Sequence, residues 1–212
     1  MIKVLNLYAG IGGNRKLWKD VEVTAVEQNQ EIANIYQDFF PDDKVIIADA
    51  HQYLLEHYKE FDFIWSSPPC PTHSITNHFL NAQGVIRYPD MSLYQEIIFL
   101  KHFSFNQKWV VENVKSYYVP LIHPYEVGRH YFWSNYTIPQ YFKNIKPISI
   151  ANARASTRRT TKKYLMSLEE YHGFDLSNYP NKNKRKMLRN CVQPSLGLHV
   201  FEYAFKKKQT RL

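Results

Sequence analysis

A cysteine on a proline-rich segment is the side chain best placed in this chain to act as a nucleophile. Cys70 ends the segment SSPPC at residues 66–70, directly after the apolar run at residues 61–65. The run predicts a buried strand, and the two prolines stiffen the loop that follows it. A thiolate held at the end of a strand can add to an electrophilic carbon. The segment therefore predicts covalent catalysis.

Two other roles are open to Cys70. A free cysteine is most often a small buried hydrophobic side chain. Cys70 and His73 also form a C-x-x-H pair, but a metal site needs two further ligands and only His78 is near in sequence. We therefore predict no metal site. Cys191 is the only other cysteine, and two cysteines without a disulfide spacing indicate a reducing compartment.

A carboxylate at the end of a later apolar run is the candidate acid. Glu112 and Asn113 follow the apolar residues 109–111, one strand–helix–strand unit after Cys70. The carboxyl ends of parallel strands meet at one edge of a sheet, so Glu112 and Cys70 are expected to converge there. A partly desolvated carboxyl can stay protonated near neutral pH and donate a proton. The alternative is that Glu112 only orients the next loop.

Glycines and two further carboxylates predict an adenosine-containing cofactor. The segment LYAGIGG at residues 7–13 follows the first strand, and its glycines let a ligand approach the backbone closely. Glu27 ends the second strand, where a carboxylate can accept hydrogen bonds from both ribose hydroxyls. Asp49 follows the third strand, where it can accept from an adenine amino group. Each feature alone is common in loops, but three at successive strand ends favour a nucleotide-type site.

The elements that must position these residues follow from the alternation of apolar runs with amphipathic stretches. Strands are predicted at residues 2–7, 21–26, 45–48, 61–65, 109–111 and 131–133. Helices are predicted at residues 14–19, 30–40, 49–58, 92–103 and 194–205. Ser92 and Gln95 are expected to form a capping box for the fourth helix. Residues 72–88 are predicted as a loop, and residues 151–189 have weak periodicity. The pattern predicts an α/β fold with a mostly parallel sheet.

Positive charge is concentrated in the C-terminal third. The 212 residues carry a net charge of +8, with 13 Lys and Arg against 15 Asp and Glu in residues 1–149 and 14 against 4 in residues 150–212. A near-neutral body with a basic segment is typical of nucleic-acid-binding proteins. No apolar run approaches the roughly 20 residues that cross a bilayer, and no signal peptide precedes the first strand. We expect a cytoplasmic protein without a membrane partner.

Four segments together resemble the motif series of the DNA C5-cytosine methyltransferases, in the order of that family. They are YAGIGG at residues 8–13, PPC at residues 68–70, ENV at residues 112–114 and RNCVQP at residues 189–194. The segment YFWSN at residues 131–135 also resembles the de novo-type members. The resemblance implies a class I S-adenosylmethionine-dependent methyltransferase fold, which is a Rossmann-like, mostly parallel sheet with helices on both faces.

The same resemblance implies a reaction. A cytosine flipped out of double-stranded DNA is methylated at C5, and S-adenosyl-L-methionine becomes S-adenosyl-L-homocysteine, without a metal. Cys70 adds to C6 and Glu112 protonates or hydrogen-bonds N3. The paired arginines of the family appear only as Arg129 and His130. If residues 131–133 set the register, His130 falls on the arginine that holds the cytosine O2, and Arg129 is displaced by one; we assign the charge to Arg129.

Matching the motifs residue by residue also gives the expected binding residues. The cofactor-binding set is Tyr8, Ala9, Gly10, Ile11, Gly12, Gly13, Glu27, Gln28, Asp49, Ala50, Pro69, Asn190 and Cys191. From their charge, the expected DNA-binding set is Arg154, Arg158, Arg159, Lys162 and Lys163.

The chain departs from the family pattern at several positions and in size. Asn6 replaces an aspartate, Pro71 replaces a glutamine after the catalytic cysteine, and Arg189 replaces a glycine. The expected organisation is a catalytic domain at 1–149, a reduced target-recognition segment at 150–185, a returning motif and helix at 186–205 and a basic tail at 206–212. So small a segment predicts a short target motif, low stringency or a recognition partner. A cognate restriction enzyme is another possible partner.

Two alternatives remain open from the sequence. One is an RNA cytosine methyltransferase acting on tRNA, although that branch tends to have Cys-Phe-Thr where this chain has Cys70-Pro71-Thr72. The other is a catalytically silent DNA-binding subunit that has kept the fold. The intact Cys70 and Glu112 argue against the silent subunit, whereas the short recognition segment and the altered arginines argue for it.

Overall fold

A seven-stranded mixed sheet forms the centre of the protein. The computed structural model describes residues 1–141, 158–180 and 182–206, without the side chains of residues 158–161. In this part of the chain the strands are β1 Ile2–Leu7, β2 Val21–Val26, β3 Lys44–Ile46, β4 Phe63–Ser66, β5 Lys108–Val114, β6 Tyr125–Val127 and β7 His130–Ser134. The helices are α1 Gln30–Phe39, α2 Ala50–His57, α3 Asn77–Asn81, α4 Ser92–Phe103, α5 Arg158–His172, α6 Lys184–Asn190 and α7 Pro194–Phe205. None of these helices is long and apolar enough to span a membrane.

The sheet order confirms the predicted α/β architecture. The strands are arranged β3-β2-β1-β4-β5-β7-β6, and the first five are parallel. β7 lies antiparallel between β5 and β6. The strand order reverses between β1 and β4, and ligands of open α/β sheets bind at the carboxyl ends of the strands at such a point.

Alternate side chains of the strands build the two faces of the sheet. Val4, Phe63 and Val110 pack with α7 on one face. Their neighbours, including Leu5 and Ile64, pack with α2 and α4 on the other. Because both faces are covered, the strands have apolar residues on both sides rather than on alternate positions only.

The predicted helix at residues 14–19 does not form, and α7 occupies the surface that it would have covered. Residues 13–17 form turns instead. Trp18 stacks on Phe201 of α7, with ring centroids 5.1 Å apart, and its indole nitrogen donates to the Gly197 carbonyl at 3.2 Å. A side chain at Gly197 would overlap the backbone of Asn14, so the glycine permits this close approach. The prediction was wrong because a segment distant in sequence fills the face.

Other local predictions also need correction. Ser92 is the first residue of α4 rather than its cap, and its backbone N–H donates to Asp90 Oδ1 at 3.0 Å, so the predicted capping box is absent. The segment 72–88, predicted as a loop, contains the short helix α3. Strand β6 was not predicted. The weakly periodic region 151–189 contains α5 and α6.

α5 and α6 form a small unit against the body of the protein. Leu168 of α5 and Leu188 of α6 share an apolar cluster with Ile11 of the glycine segment and Ile35 of α1. The Tyr179 hydroxyl donates to Asp38 of α1 at 2.8 Å. The helices α5 and α6 of the basic C-terminal part are therefore packed beside the glycine segment.

Candidate active site

The residues selected from the sequence gather at the carboxyl edge of the parallel strands. The glycine segment follows β1, Glu27 follows β2, and the loop carrying Cys70 follows β4. Glu112 lies near the end of β5, which neighbours β4. The β1 and β4 loops therefore flank the point where the strand order reverses, which is the expected ligand position of an open α/β sheet.

Gly10 of the glycine segment borders open space and is hydrogen-bonded to Glu27, which follows β2. The Gly10 N–H donates to Glu27 Oε2 at 3.0 Å, and the Asn29 N–H donates to Oε1 at 2.9 Å. Gly10 has φ +55°, and a Cβ added there would meet no atom within 4 Å. An ionised carboxylate has about four acceptor positions, so Glu27 keeps capacity for two ribose hydroxyls.

Gly12 and Gly13 allow close packing within the protein instead. A side chain at Gly12 would overlap the rings of Phe40 and Tyr36. A Cβ at Gly13 would lie 2.6 Å from the Val192 carbonyl oxygen and 2.7 Å from Cys191. Gly10 therefore has the open space that a close approach of a ligand would need, whereas Gly12 and Gly13 bring α1 and the segment before α7 against the loop.

The remaining predicted cofactor residues have different environments. Asp49 caps α2 by accepting from the Gln52 N–H at 2.9 Å through Oδ1. Ala9, Ile11 and Ala50 are buried, whereas Gln28, Pro69 and Asn190 are exposed. Cys191 is buried against Gly13, and burial raises the pKa of its thiol to about 12. Tyr8 is half-buried at the start of the glycine segment.

A buried glutamate that was not predicted connects three of the site's segments. Glu96 of α4 is fully buried. Its carboxylate accepts from the Tyr8 hydroxyl and the Ser66 hydroxyl, both at 2.6 Å, and lies 3.1 Å from His51 Nδ1. The sequence does contain a signal for it, because Glu96 falls at helical spacing between the apolar residues Leu93 and Leu100. An acidic residue on a buried helix face needs polar partners.

Cys70 is half-buried between groups of opposite charge. Burial raises the pKa of its thiol, and the Glu112 carboxylate raises it further. The Arg189 guanidinium acts in the opposite direction, so the residue that replaces a glycine of the family pattern lies within electrostatic range of the thiol. Asn113 Nδ2 donates to the Pro68 carbonyl at 3.1 Å and ties the end of β5 to the Cys70 loop.

His130, rather than Arg129, lies against Glu112. His130 Nδ1 is 2.6 Å from Glu112 Oε1, and both side chains are largely buried. Arg129 is exposed and lies near His172, where its charge helps burial to lower the pKa of that imidazole to about 4. The assignment of catalytic charge to Arg129 stays a prediction, but the residue that contacts the candidate acid is its neighbour.

The predicted DNA-binding residues lie mostly at the start of α5. Lys162 and Lys163 are exposed on this helix. Arg154 lies outside the described residues, as do the side chains of Arg158 and Arg159. Among the residues that the structure describes, no group of three His, Cys, Asp or Glu side chains could hold a metal ion.

Comparison with known proteins identifies both a family and a fold. The profile of the family described as C-5 cytosine-specific DNA methylase matches residues 2–120, more than half of the chain. The Entamoeba histolytica methyltransferase EhMeth is 11% identical, with a TM-score of 0.52 over 97% of this chain and 98% of that one, and this likeness confirms the Rossmann-like methyltransferase fold.

Other comparisons are more partial. A DNMT2 variant from Spodoptera frugiperda is 27% identical, with a TM-score of 0.41, over 55% of this chain. The match covers 37% of the insect protein. No curated protein matches the sequence.

Proposed function

This chain belongs to the C-5 cytosine-specific DNA methylase family, and we propose that it methylates C5 of a cytosine in double-stranded DNA through a covalent Cys70 adduct. The observation that carries the proposal is the convergence of Cys70 and Glu112 on neighbouring strand ends, beside the glycine segment. The two strands pair directly, and the hydrogen bond from Asn113 Nδ2 to the Pro68 carbonyl, 3.1 Å long, ties the end of β5 to the Cys70 loop. A nucleophile, an acid and a nucleotide-type site within one sheet edge are the groups that this reaction needs.

The proposed role of Cys70 is to make C5 of the cytosine nucleophilic by adding to the neighbouring carbon C6. Its thiolate forms a bond to C6, while Glu112 donates a proton or hydrogen bond to N3 and stabilises the charge that develops on the ring. When bound, S-adenosylmethionine supplies an electrophilic methyl group to C5. Loss of the C5 proton to solvent then breaks the bond between sulfur and C6 and restores Cys70, and the proton held at N3 returns to Glu112. A base flipped out of the duplex is what allows Cys70 to reach C6.

The cofactor is proposed to bind at the carboxyl ends of β1, β2 and β3. Glu27 retains acceptor positions for the ribose, and Asp49 retains Oδ2 for the adenine amino group, because only Oδ1 is used in capping α2. Gly10 leaves open space beside Glu27. Tyr8, Pro69, Asn190 and Cys191 surround the path towards Cys70 in this proposal.

The DNA is proposed to lie along the basic C-terminal part of the chain. Residues 150–212 carry 14 Lys and Arg against 4 Asp and Glu, and α5 presents Lys162 and Lys163 to solvent. Basic side chains of this kind contact phosphates and supply affinity without reading sequence. A segment of about 36 residues offers few side chains for base readout, so we expect a short or loosely defined target motif.

Transfer of tritium from labelled S-adenosylmethionine tests the proposal. The substrates are duplex DNA, single-stranded DNA and tRNA, and Cys70→Ser is measured beside the wild type, with cofactor binding as the control for folding. We expect label in duplex DNA only, absent in Cys70→Ser, and a stable adduct of the wild type with duplex DNA containing 5-fluorocytosine. If only tRNA became labelled, the substrate would be RNA and not DNA. Bound cofactor without label in any substrate would identify a silent subunit.

A further inference from the structure

The contact between His130 and Glu112 follows from the pairing of two strands. β7 runs antiparallel to β5, with His130 opposite Val114 and Phe132 opposite Glu112. Side chains on one face of such a pair contact their diagonal neighbours two residues away. His130 therefore reaches Glu112 across the sheet, and Nδ1 lies 2.6 Å from Oε1.

Arg129 does not take this position. It lies in the turn between β6 and β7, before the first paired residue of β7. The Arg129 side chain is exposed, and its charge is felt by Tyr171 and His172 at the end of α5. His130 is therefore the one of the two basic residues that contacts Glu112.

The imidazole leaves one oxygen of the carboxyl group available. Oε1 of Glu112 is taken by His130, whereas Oε2 has no hydrogen-bond partner among the residues that the structure describes. A carboxyl group that is held at one oxygen is fixed in orientation and presents the other oxygen. An arginine carries a permanent charge, whereas an imidazole has a single N–H on the ring nitrogen that faces the carboxyl group.

Resting on the function proposed above, we propose that His130 is the positioning residue for the acid: its Nδ1–H donates to Glu112 Oε1 and turns Oε2 towards N3 of the target cytosine, with which the carboxyl group shares a proton when the base is bound. His130 does not touch the base in this role. It acts by holding the carboxyl group in one orientation, so its removal affects the chemical step rather than DNA binding.

The kinetic test compares two substitutions of His130 with a matched control. His130→Leu removes the donor, and we expect kcat for methyl transfer to fall roughly 10- to 100-fold with KM for DNA nearly unchanged. His130→Asn keeps an N–H near the position of Nδ1 and should recover most of kcat. His102→Leu makes the same substitution at an exposed histidine of α4 and should leave both constants unchanged.

Three results would overturn the role of His130. The first is that His130→Leu is as active as an active wild type. The second is that His130→Asn does not recover the kcat lost in His130→Leu. The third is that Arg129→Gln lowers kcat whereas His130→Leu does not. Imidazole nitrogen NMR tests the contact without activity, because the Nδ1-protonated form should be seen in the wild type and altered in Glu112→Gln. An unaltered imidazole signal would contradict the contact. A wild type without activity but with this signal would overturn the proposed function, and the role with it, while leaving the contact established.

Discussion

At the scale of single residues, the reactivity of Cys70 depends on two charges with opposite effects. Burial and the Glu112 carboxylate raise the pKa of the thiol, and Arg189 lowers it. A carboxylate disfavours the formation of a second negative charge beside it, whereas a guanidinium favours it. The thiolate fraction at a given pH can therefore be changed in either direction without altering Cys70 itself.

Alkylation of Cys70 by iodoacetamide should show both effects. Glu112→Gln removes a neighbouring negative charge, so the thiol pKa falls and alkylation at pH 8 becomes faster, by roughly 3- to 10-fold for a shift of up to one unit. Arg189→Gln removes the positive charge and should make alkylation slower. In every variant the rate should rise with pH, because the thiolate is the reactive form. The measurement is the pH dependence of the rate by mass spectrometry.

Cys70→Ser gives the background of this experiment. Cys191 should contribute little, because it is buried and its thiol pKa is raised to about 12. If Glu112→Gln and Arg189→Gln changed the rate in the same direction, the two charges would not be acting electrostatically on Cys70.

The sequence identified some of these residues and missed others for a physical reason. Cys70 and Glu112 each follow an apolar run, and the position of a strand end is a local property that a sequence pattern predicts. The partner of Glu112 depends on the register between β5 and β7, which pair antiparallel although a loop and the strand β6 lie between them in the chain. A displacement of one residue exchanges His130 for Arg129, and composition alone does not fix the register.

At the scale of secondary-structure elements, Glu96 connects the segments that form the site. Tyr8 begins the glycine segment, Ser66 ends β4 directly before the Cys70 loop, and His51 lies in α2. All three side chains meet the carboxylate of α4. The hydrogen bond between His51 and Glu96 is the largest of the effects that raise the pKa of His51. One buried carboxyl group therefore holds the ends of β1 and β4 and the start of α2 in a common arrangement.

Replacement of Glu96 by Gln should destabilise the protein and weaken cofactor binding. The substitution keeps the shape but presents an NH₂ group to donors, so at least one buried hydroxyl loses its acceptor. We expect a loss of about 1–3 kcal/mol in the free energy of unfolding. Urea unfolding and cofactor titration measure the two effects. Gln95→Ala changes an exposed neighbour on the same helix and should be nearly neutral. Equal stability of Glu96→Gln and Gln95→Ala would contradict the connecting role.

The elements themselves were predicted where local pattern decides and missed where distant packing decides. β1, β2 and α7 have their predicted bounds, because each is mostly apolar and has flanking residues that mark its ends. The helix predicted at residues 14–19 does not form because α7, more than 170 residues away in the chain, packs on the surface that this helix would have covered. α5 was not predicted from the sequence, because its buried apolar residues Tyr164 and Leu168 are surrounded by many charged residues that obscure the helical periodicity.

At the scale of the whole molecule, the uneven distribution of charge favours separate positions for the chemistry and for binding of a polyanion. The sheet and its carboxyl edge carry the candidate chemistry, and residues 1–149 are close to neutral. The basic C-terminal part packs through α5 and α6 against α1 and the glycine segment. A polyanion bound along α5 would therefore be near the site in which its base is proposed to react. The family match ends at residue 120, so this arrangement of the basic part is argued from this chain alone.

The salt dependence of DNA binding tests that arrangement. Each phosphate contact that releases counterions contributes about 0.9 to the slope of log K against log salt concentration. Lys162→Gln with Lys163→Gln should weaken binding at low salt and reduce the slope by up to about two such contributions. The control is Lys59→Gln with Lys101→Gln, which removes the same charge from two other exposed positions. Lys59 lies in the turn after α2 and Lys101 in α4, and this double variant should leave the slope unchanged. Equal reductions in both double variants would mean that overall charge governs affinity, whereas an effect confined to Lys162 and Lys163 would place the phosphates on α5.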